Sequence, residues 1–325
     1  MATVLEPLAA FYGRIAERRY LRGVPHRSRL PVICVGNFTL GGTGKTPLVI
    51  HLCDRLKAAG HEPVALTRGY GGRLAGPYWV SAASDVARDV GDEALLLAKT
   101  TPTHVARERR AGALAIESGP HPVTVIVMDD GLQNPTLAKD MTIAVVDGAR
   151  GIGNGLVFPA GPLRSSLGFQ LELTDAIVVS GGPADAPVAE WLRNRFAGPV
   201  LRAGTVPADN TDWLKGAGVV AWAGIAAPER FFNVLTALGA DVREKRAFRD
   251  HQWVSEQSAG DLLELAERHS ALLVTTEKDM ARLAGSTGLA ARLASVSRVL
   301  RVKTSLTETD AERLMSLVDA ALRAR

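Results

Sequence analysis

The stretch Gly41-Gly42-Thr43-Gly44-Lys45-Thr46 constrains this chain more than any other. An apolar, strand-like run, Leu30 to Val35, precedes it. A helix-like segment from Thr46 to about Ala59 follows and is closed by Gly60. Strand, glycine turn and helix in that order are the setting of a phosphate-binding loop. The glycines let successive backbone N–H groups turn onto phosphate oxygens, and the helix N-terminus behind them adds partial positive charge. Lys45 brings a point charge to the outer phosphates, and the Thr46 hydroxyl is suited to Mg²⁺. The match is partial, because the strict pattern has a glycine where Thr39 stands. Such a loop also needs an acid at the end of a neighbouring strand. The β-branched run Val123 to Met128, ending in Asp129-Asp130, supplies it. The expected nucleotide cradle is therefore Gly41, Gly42, Thr43, Gly44, Lys45 and Thr46, with Thr46, Asp129 and Asp130 at the metal. Together they imply ATP or GTP with Mg²⁺ and leave the fate of the γ-phosphate open.

The rest of the chain alternates in the same way. Strands are expected at Pro63 to Thr67, Thr103 to Ala106, Met141 to Asp147 and Ala176 to Ser180, with helices at Ala94 to Lys99 and Arg107 to Ser118. A Pro-rich stretch from Gly182 leads to a helix around Val188 to Phe196. Beyond it come strands Val200 to Thr205, Val219 to Trp222, Val242 to Phe248 and Ala271 to Thr275. Helices Pro228 to Leu238 and Ser255 to His269 alternate with them, and a last helix spans Thr309 to Ala324. Alternation of this kind predicts an α/β fold with a parallel sheet covered on both faces. The length, 325 residues, suits two domains. We expect a P-loop NTPase-type domain over 1–200 and a smaller α/β domain over 201–325.

Composition excludes several classes. No apolar run approaches the ~18–20 residues of a membrane-spanning helix. The two cysteines, Cys34 and Cys53, have no metal or CxxC spacing and read as buried reduced thiols of a cytosolic protein. The net charge of +4 permits an acidic partner without demanding one. Neither a nucleic acid nor an obligate protein partner is implied. The average conceals a local excess: Arg14, Arg18, Arg19, Arg22, Arg27 and Arg29 follow an apolar series, Leu5, Leu8, Phe11, Tyr12 and Ile15, at helical spacing. This pattern fits a helix packed on the core with a solvated basic edge, or a helix lying in a membrane interface.

Further segments carry a family resemblance. They are Gly36-Asn37 through Pro47, Thr67-Arg68-Gly-Tyr-Gly-Gly72, Gly91-Asp92-Glu93, Asp129-Asp-Gly-Leu-Gln133, Arg150-Gly-Ile-Gly-Asn-Gly155 and Pro159-Ala-Gly-Pro-Leu-Arg164. Gly224-Ile-Ala, Pro228-Glu-Arg-Phe-Phe232, Phe248-Arg-Asp-His251 and Thr275-Thr-Glu-Lys-Asp279 continue the series. In this order and over nearly the whole chain, they resemble the tetraacyldisaccharide 4′-kinase (lipid A 4′-kinase) family. The resemblance implies transfer of the ATP γ-phosphoryl to the 4′-hydroxyl of a tetraacyl disaccharide 1-phosphate, giving lipid IVA. It also implies a site in the cleft between two domains and a peripheral position on the cytoplasmic face of the inner membrane. A lipid acceptor favours the interfacial reading of the N-terminal helix, with Arg14, Arg18 and Arg22 each worth about 1 kcal/mol on anionic head groups. The competing readings are a nucleotide-dependent switch or metallochaperone-like GTPase and a soluble small-molecule kinase. Against the switch, Glu277-Lys278-Asp279 has neither the spacing nor the Asn of an Asn-Lys-x-Asp guanine-reading element.

A sugar hydroxyl needs a base as it attacks, and the γ-phosphoryl needs its charge spread over cations. From residues alone, Asp92 reads as a helix N-cap and His251 as a loop histidine. The resemblance makes Asp92 the base and places His251 beside it, orienting the carboxylate. Arg68 and Arg164 lie in glycine-rich turns, and their planar forks suit phosphate oxygens. Lys45, Arg164 and Asp130 complete the expected catalytic set. Tyr70 is expected near adenine or sugar. Asn154, between two glycines, is suited to substrate contact or to positive φ. The family commonly has Phe and His where this chain has Leu132 and Asn134, and Glu where it has Ser165.

Overall fold

A computed structural model describes residues 2–182 and 187–325. Most of the Pro-rich stretch expected after Gly182 lies outside the described residues. In chain order the strands are β1 (Val32–Asn37), β2 (Pro63–Thr67), β3 (Tyr78–Trp79), β4 (Thr103–Val105), β5 (Val125–Asp129), β6 (Met141–Asp147) and β7 (Ala176–Ser180). They continue as β8 (Val200–Pro207), β9 (Gly218–Ala223), β10 (Asp241–Ala247), β11 (Leu272–Thr276), β12 (Arg298–Leu300) and β13 (Val302–Leu306). Nine form one sheet in the order β13-β8-β7-β6-β1-β5-β2-β4-β3; four form a second in the order β10-β9-β11-β12. Pairing is parallel except at the two edges of the large sheet, β3 on β4 and β13 on β8.

The central strands are buried along their whole length, which is why Val-Ile-Cys-Val in β1 and Val-Ile-Val-Met in β5 run apolar without alternation. Helix Lys45–Ala58 presents Leu48, Val49, Leu52, Cys53 and Leu56 to Ile33 and Val35 of β1. Both cysteines are free and buried, and burial pushes the Cys34 thiol up to about 11 and the Cys53 thiol up to about 12. No helix among the described residues is long and apolar enough to cross a membrane.

The expected boundary near residue 200 needs correction. β8 is hydrogen-bonded to β7 within the large sheet, and β13 pairs with β8. The final helix, Glu308–Arg323, packs Leu314 and Val318 into the same core as β1. The four-stranded unit is thus an insertion between β8 and β13 rather than a C-terminal half. The C-terminal ends of β9 and β11 approach the large unit where β1, β5 and β6 also end, so strand ends from both sheets meet at one cleft.

Candidate active site

β1 ends in the glycine loop, and its neighbour β5 ends beside it, with Val35 opposite Asp129. Asn37 braces the loop, its amide donating to the carbonyls of Thr39 (2.7 Å) and Gly41 (3.3 Å). Gly44 has φ +86, and a methyl there would lie 3.0 Å from Ser180 Oγ, so both torsion and space require glycine before helix Lys45–Ala58. Thr43, Lys45 and Thr46 are buried. Lys45 Nζ lies 3.6 Å from Asp130 Oδ1. Arg164 grips both Asp130 oxygens, at 2.9 and 3.0 Å. It reaches the loop because its segment runs along residues 38–40: Leu40 N–H donates to Pro162, and Arg164 N–H donates to Phe38. Lys45 and Arg164 outweigh the upward push of burial and hold the Asp130 carboxyl below its usual range.

Asp129 behaves in the opposite way. It is fully buried and neither carboxylate oxygen has a hydrogen-bond partner among the described residues. Burial first, then the nearby Glu93 charge, raises its pKa to about 7. A buried carboxylate without a donor is costly unless a cation compensates it. With the Thr46 hydroxyl on the adjacent helix, these residues fit a divalent cation. Asp130 stands beside them, its carboxylate already shared between Arg164 and Lys45.

The second cluster joins the two units. Asp92 is the first residue of helix Asp92–Ala98; the cap position is Gly91. The Asp92 side chain does not cap in the expected manner, since Oδ1 accepts only from the next N–H, Glu93, at 2.8 Å. Oδ2 receives His251 Nδ1 at 3.0 Å and Arg282 Nε at 2.8 Å, both from the small unit. A carboxylate can only accept, so His251 carries its proton on Nδ1. Burial raises the Asp92 pKa but is outweighed by the His251 hydrogen bond, Lys278 and Arg282, leaving it well below the usual carboxylate range. Lys278 pairs with Glu93 at 2.9 Å. Asp130 and His251 are two of the three non-glycine residues with positive φ among the described residues. Such conformations cluster at functional sites.

Gly91, φ +91, lets Tyr70 approach: a methyl on Gly91 would lie 2.5 Å from the Tyr70 carbonyl. The exposed Tyr70 ring meets His251 edge-on, 5.0 Å between centroids. Arg68, after β2, is exposed. On the other side of the cleft, Arg230 pairs with buried Asp147 at 2.7 Å and Arg150 donates to the Ala226 carbonyl at 2.7 Å. Ala226 lies over the glycine loop, where a methyl on Gly42 would meet its Cβ at 3.0 Å.

Asn154 is not one of the positive-φ residues; Gly153 and Gly155 around it are. Its side chain instead ties its own loop, donating to Ala160 and accepting from Leu156 N–H. Asn134 closes a turn through Thr136. Leu132 is core. Ser165 is buried, and its hydroxyl has no partner among the described residues. Arg14 and Arg18 lie on helix Ala2–Leu21, exposed to solvent. Arg27 and Arg29 are held by Asp140 and Glu117. The sequence reading assigned no role to Arg282, Asp279, Glu93 or Gln133. Gln133 links Arg164 to buried Gln170. Lys278 and Asp279 were visible as part of a resembling segment and as the nearest stretch to a guanine-reading element, and nothing local marked Arg282.

The family model described as Tetraacyldisaccharide-1-P 4′-kinase matches residues 1–323. A tetraacyldisaccharide 4′-kinase of Nitrobacter hamburgensis is 51% identical over 294 residues, 90% of this chain and 86% of the relative. One from a Methylobacterium species is 45% identical over an alignment covering 100% of this chain and 95% of its own. The crystal structure of "apo" form LpxK from Aquifex aeolicus in complex with ATP superposes with a TM-score of 0.76 at 26% identity, covering 99% of each chain. The switch reading gives way to these matches, and within its nearest guanine-reading stretch, Glu277-Lys278-Asp279, both Lys278 and Asp279 are committed to the Asp92 cluster instead. The chain belongs to the tetraacyldisaccharide 4′-kinase family.

Proposed function

We propose that this chain transfers the γ-phosphoryl of ATP to the 4′-hydroxyl of a tetraacyldisaccharide 1-phosphate, with Asp92 as the base. The observation that carries the roles is the buried Asp92 carboxylate, fixed by His251 across the cleft, with its neighbour Glu93 close enough to Asp129 for their charges to interact. Asp92 takes the hydroxyl proton as the oxygen attacks. His251, donating from Nδ1, turns the carboxylate toward the acceptor. Gly41, Gly42, Thr43 and Gly44 cradle phosphates by their N–H groups, and Lys45 and Arg164 spread the charge on the transferred group. Asp130 keeps both cations aimed at the loop. Thr46 and Asp129, with Asp130 beside them, would hold Mg²⁺, which supplies charge neutralisation on the phosphate oxygens. Arg68 and Tyr70, exposed at the cleft edge, are the acceptor contacts. The Asn154 side chain is used within its own loop, so we assign it no substrate contact. Approach of the two sheets, through Asp92 with His251 and Asp147 with Arg230, assembles the site.

The acceptor is a lipid, and helix Ala2–Leu21 is suited to its surface. Val4, Leu8, Phe11, Tyr12 and Ile15 form an exposed apolar stripe, while Arg14, Arg18, Arg19 and Arg22 are exposed without an acid partner among the described residues. This supports a peripheral position on the cytoplasmic face of the inner membrane. The deciding assay is ATP-dependent phosphorylation of tetraacyldisaccharide 1-phosphate in detergent micelles. No product where a relative is active would overturn the reaction. Asp92→Asn is expected to lower kcat by about 10²–10⁴-fold, the usual worth of a general base; near-normal turnover would remove Asp92 from that role.

A further inference from the structure

Asp92 Oδ2 is shared. His251 approaches it from one side, and the Arg282 guanidinium donates to the same oxygen through Nε at 2.8 Å. Arg282 belongs to helix Glu277–Leu283, directly after β11, and only 3% of its side chain is exposed. It is held in turn. Nη1 donates to Asp279 Oδ1 at 2.9 Å and is 3.4 Å from the Gln252 carbonyl. Asp279 is anchored by the Gly224 N–H at 2.9 Å and by the Thr276 hydroxyl at 2.6 Å. The chain of contacts runs from the ends of β9 and β11 through Asp279 and Arg282 to the Asp92 carboxylate. Gln252 adjoins His251, so the guanidinium also touches the loop that carries the second partner.

We infer that Arg282 is a positioning residue for the phosphoryl-transfer reaction, fixing the orientation of the Asp92 carboxylate so that its remaining lone pairs face the acceptor hydroxyl. The inference rests on Asp92 being the base. A purely stabilising role fits poorly. Buried ion pairs contribute little net stability compared with packed apolar groups, and Arg282 Nη2 is buried with no partner among the described residues, a further cost. The arrangement makes sense as geometry: the Glu93 N–H holds Oδ1 while His251 and Arg282 converge on Oδ2, so three donors fix the plane of the carboxylate, and losing Arg282 loosens its Oδ2 side. The charged groups around Asp92 are His251 and Asp250 from the loop after β10, Lys278, Asp279 and Arg282 from helix Glu277–Leu283, and Glu93 beside it. Arg282 is the permanent cation in direct contact with the carboxylate, so its loss raises the pH at which Asp92 protonates.

The test measures kcat and KM for ATP and acceptor against pH in the full-length enzyme, for Arg282→Ala, Arg282→Lys and Asp92→Asn. Arg282→Ala is expected to lower kcat at neutral pH by about tenfold to a hundredfold, as for a misplaced catalytic group. Its KM for ATP should stay within about threefold of the parent, since uniform nucleotide binding is untouched. The acid limb of kcat should move up by about 1–2 pH units as the carboxylate loses its cation. Arg282→Lys should return the limb toward the parent while recovering only part of kcat. If Arg282→Ala does not fold, as judged by thermal melting, Arg282→Gln is read in the same way. A uniform fall in kcat with the limb unmoved, or a lysine variant no better than alanine, overturns the inference. Asp92→Asn separates the two readings. Retained turnover there removes the base itself, whereas loss of turnover there with an unmoved limb in the Arg282 variants removes only the positioning role.

Discussion

Replacing Arg14, Arg18 and Arg22 together by alanine strips the basic end of the first helix while leaving its apolar stripe. All three are exposed and pair with no acid among the described residues, and alanine favours a helix, so the fold should be retained. Each arginine is worth about 1 kcal/mol near an anionic surface, so the triple variant loses about 3 kcal/mol, or about a hundredfold in partitioning. The apolar stripe gives an independent figure. Leu8, Phe11 and Ile15 are 56%, 63% and 50% exposed. Full burial of such side chains is worth about 1.5–3 kcal/mol, so covering the exposed half gains about 1 kcal/mol each. Exchanging these three for serine should therefore also cost about a hundredfold. The two variants differ in what they respond to. In sedimentation with lipid vesicles, the arginine variant should lose binding only where anionic lipid is present. The serine variant should lose it on zwitterionic vesicles too. Raising salt to about 1 M, where screening acts within about 3 Å, should bring the parent close to the arginine variant. An arginine variant that binds anionic vesicles as the parent does, or one that loses binding equally on both lipids, would refute the electrostatic part of the reasoning.

Three further outcomes follow from the cleft. Burial favours the protonated form of Asp129, so the unliganded protein should lose stability as pH rises from the unfolded value of 3.8 through about 7. Mg²⁺ added with a non-hydrolysable ATP analogue needs the ionised carboxylate, so its upward shift of the melting temperature should grow across the same interval; a pH-independent shift would count against Asp129 as a ligand. Arg164→Lys keeps the charge but loses the two-pronged hold on Asp130, and kcat/KM for ATP should fall about tenfold, the worth of one charged hydrogen bond, with melting little changed. Gly91→Ala places a methyl 2.5 Å from the Tyr70 carbonyl at φ +91, and should cost about 1–3 kcal/mol in unfolding free energy together with a loss of kcat.

What could be read along the chain was what short segments determine by themselves. The glycine loop, β1 and β5 are legible because a buried parallel strand is apolar throughout, and because a phosphate loop needs glycine, lysine and threonine within six positions. β13 was missed for the opposite reason. It is a short antiparallel edge strand, Val-Lys-Thr-Ser-Leu, partly open to solvent, and its pattern does not differ from a loop. Without β13, the helix that follows it appears to close a second domain rather than return to the first. The excess of arginines near the N-terminus likewise divides only in three dimensions: Arg27 and Arg29 meet acids from β6's approach and from helix Arg109–Glu117, and Arg14, Arg18, Arg19 and Arg22 do not.

The Asp92 cluster sits at the limit of this legibility. Asp92 and Arg282 are 190 positions apart, and neither neighbourhood signals the other. Each can instead be assigned a sufficient local purpose, a helix start for Asp92 and a buried i,i+3 pair with Asp279 for Arg282. Only the packing of the inserted sheet against the large one reveals that both local purposes serve one carboxylate. That placement has a functional consequence. The nucleotide loop, Asp129 and Asp130 belong wholly to the large unit, whereas both side-chain donors on Asp92 Oδ2 belong to the insertion. The residues that would cradle nucleotide are thus complete within the large unit, whereas the contacts on Asp92 Oδ2 exist only where the insertion packs against it. With Asp92 as the proposed base, a site divided in this way couples the group that would activate an attacking oxygen to the packing of the insertion, separately from nucleotide binding.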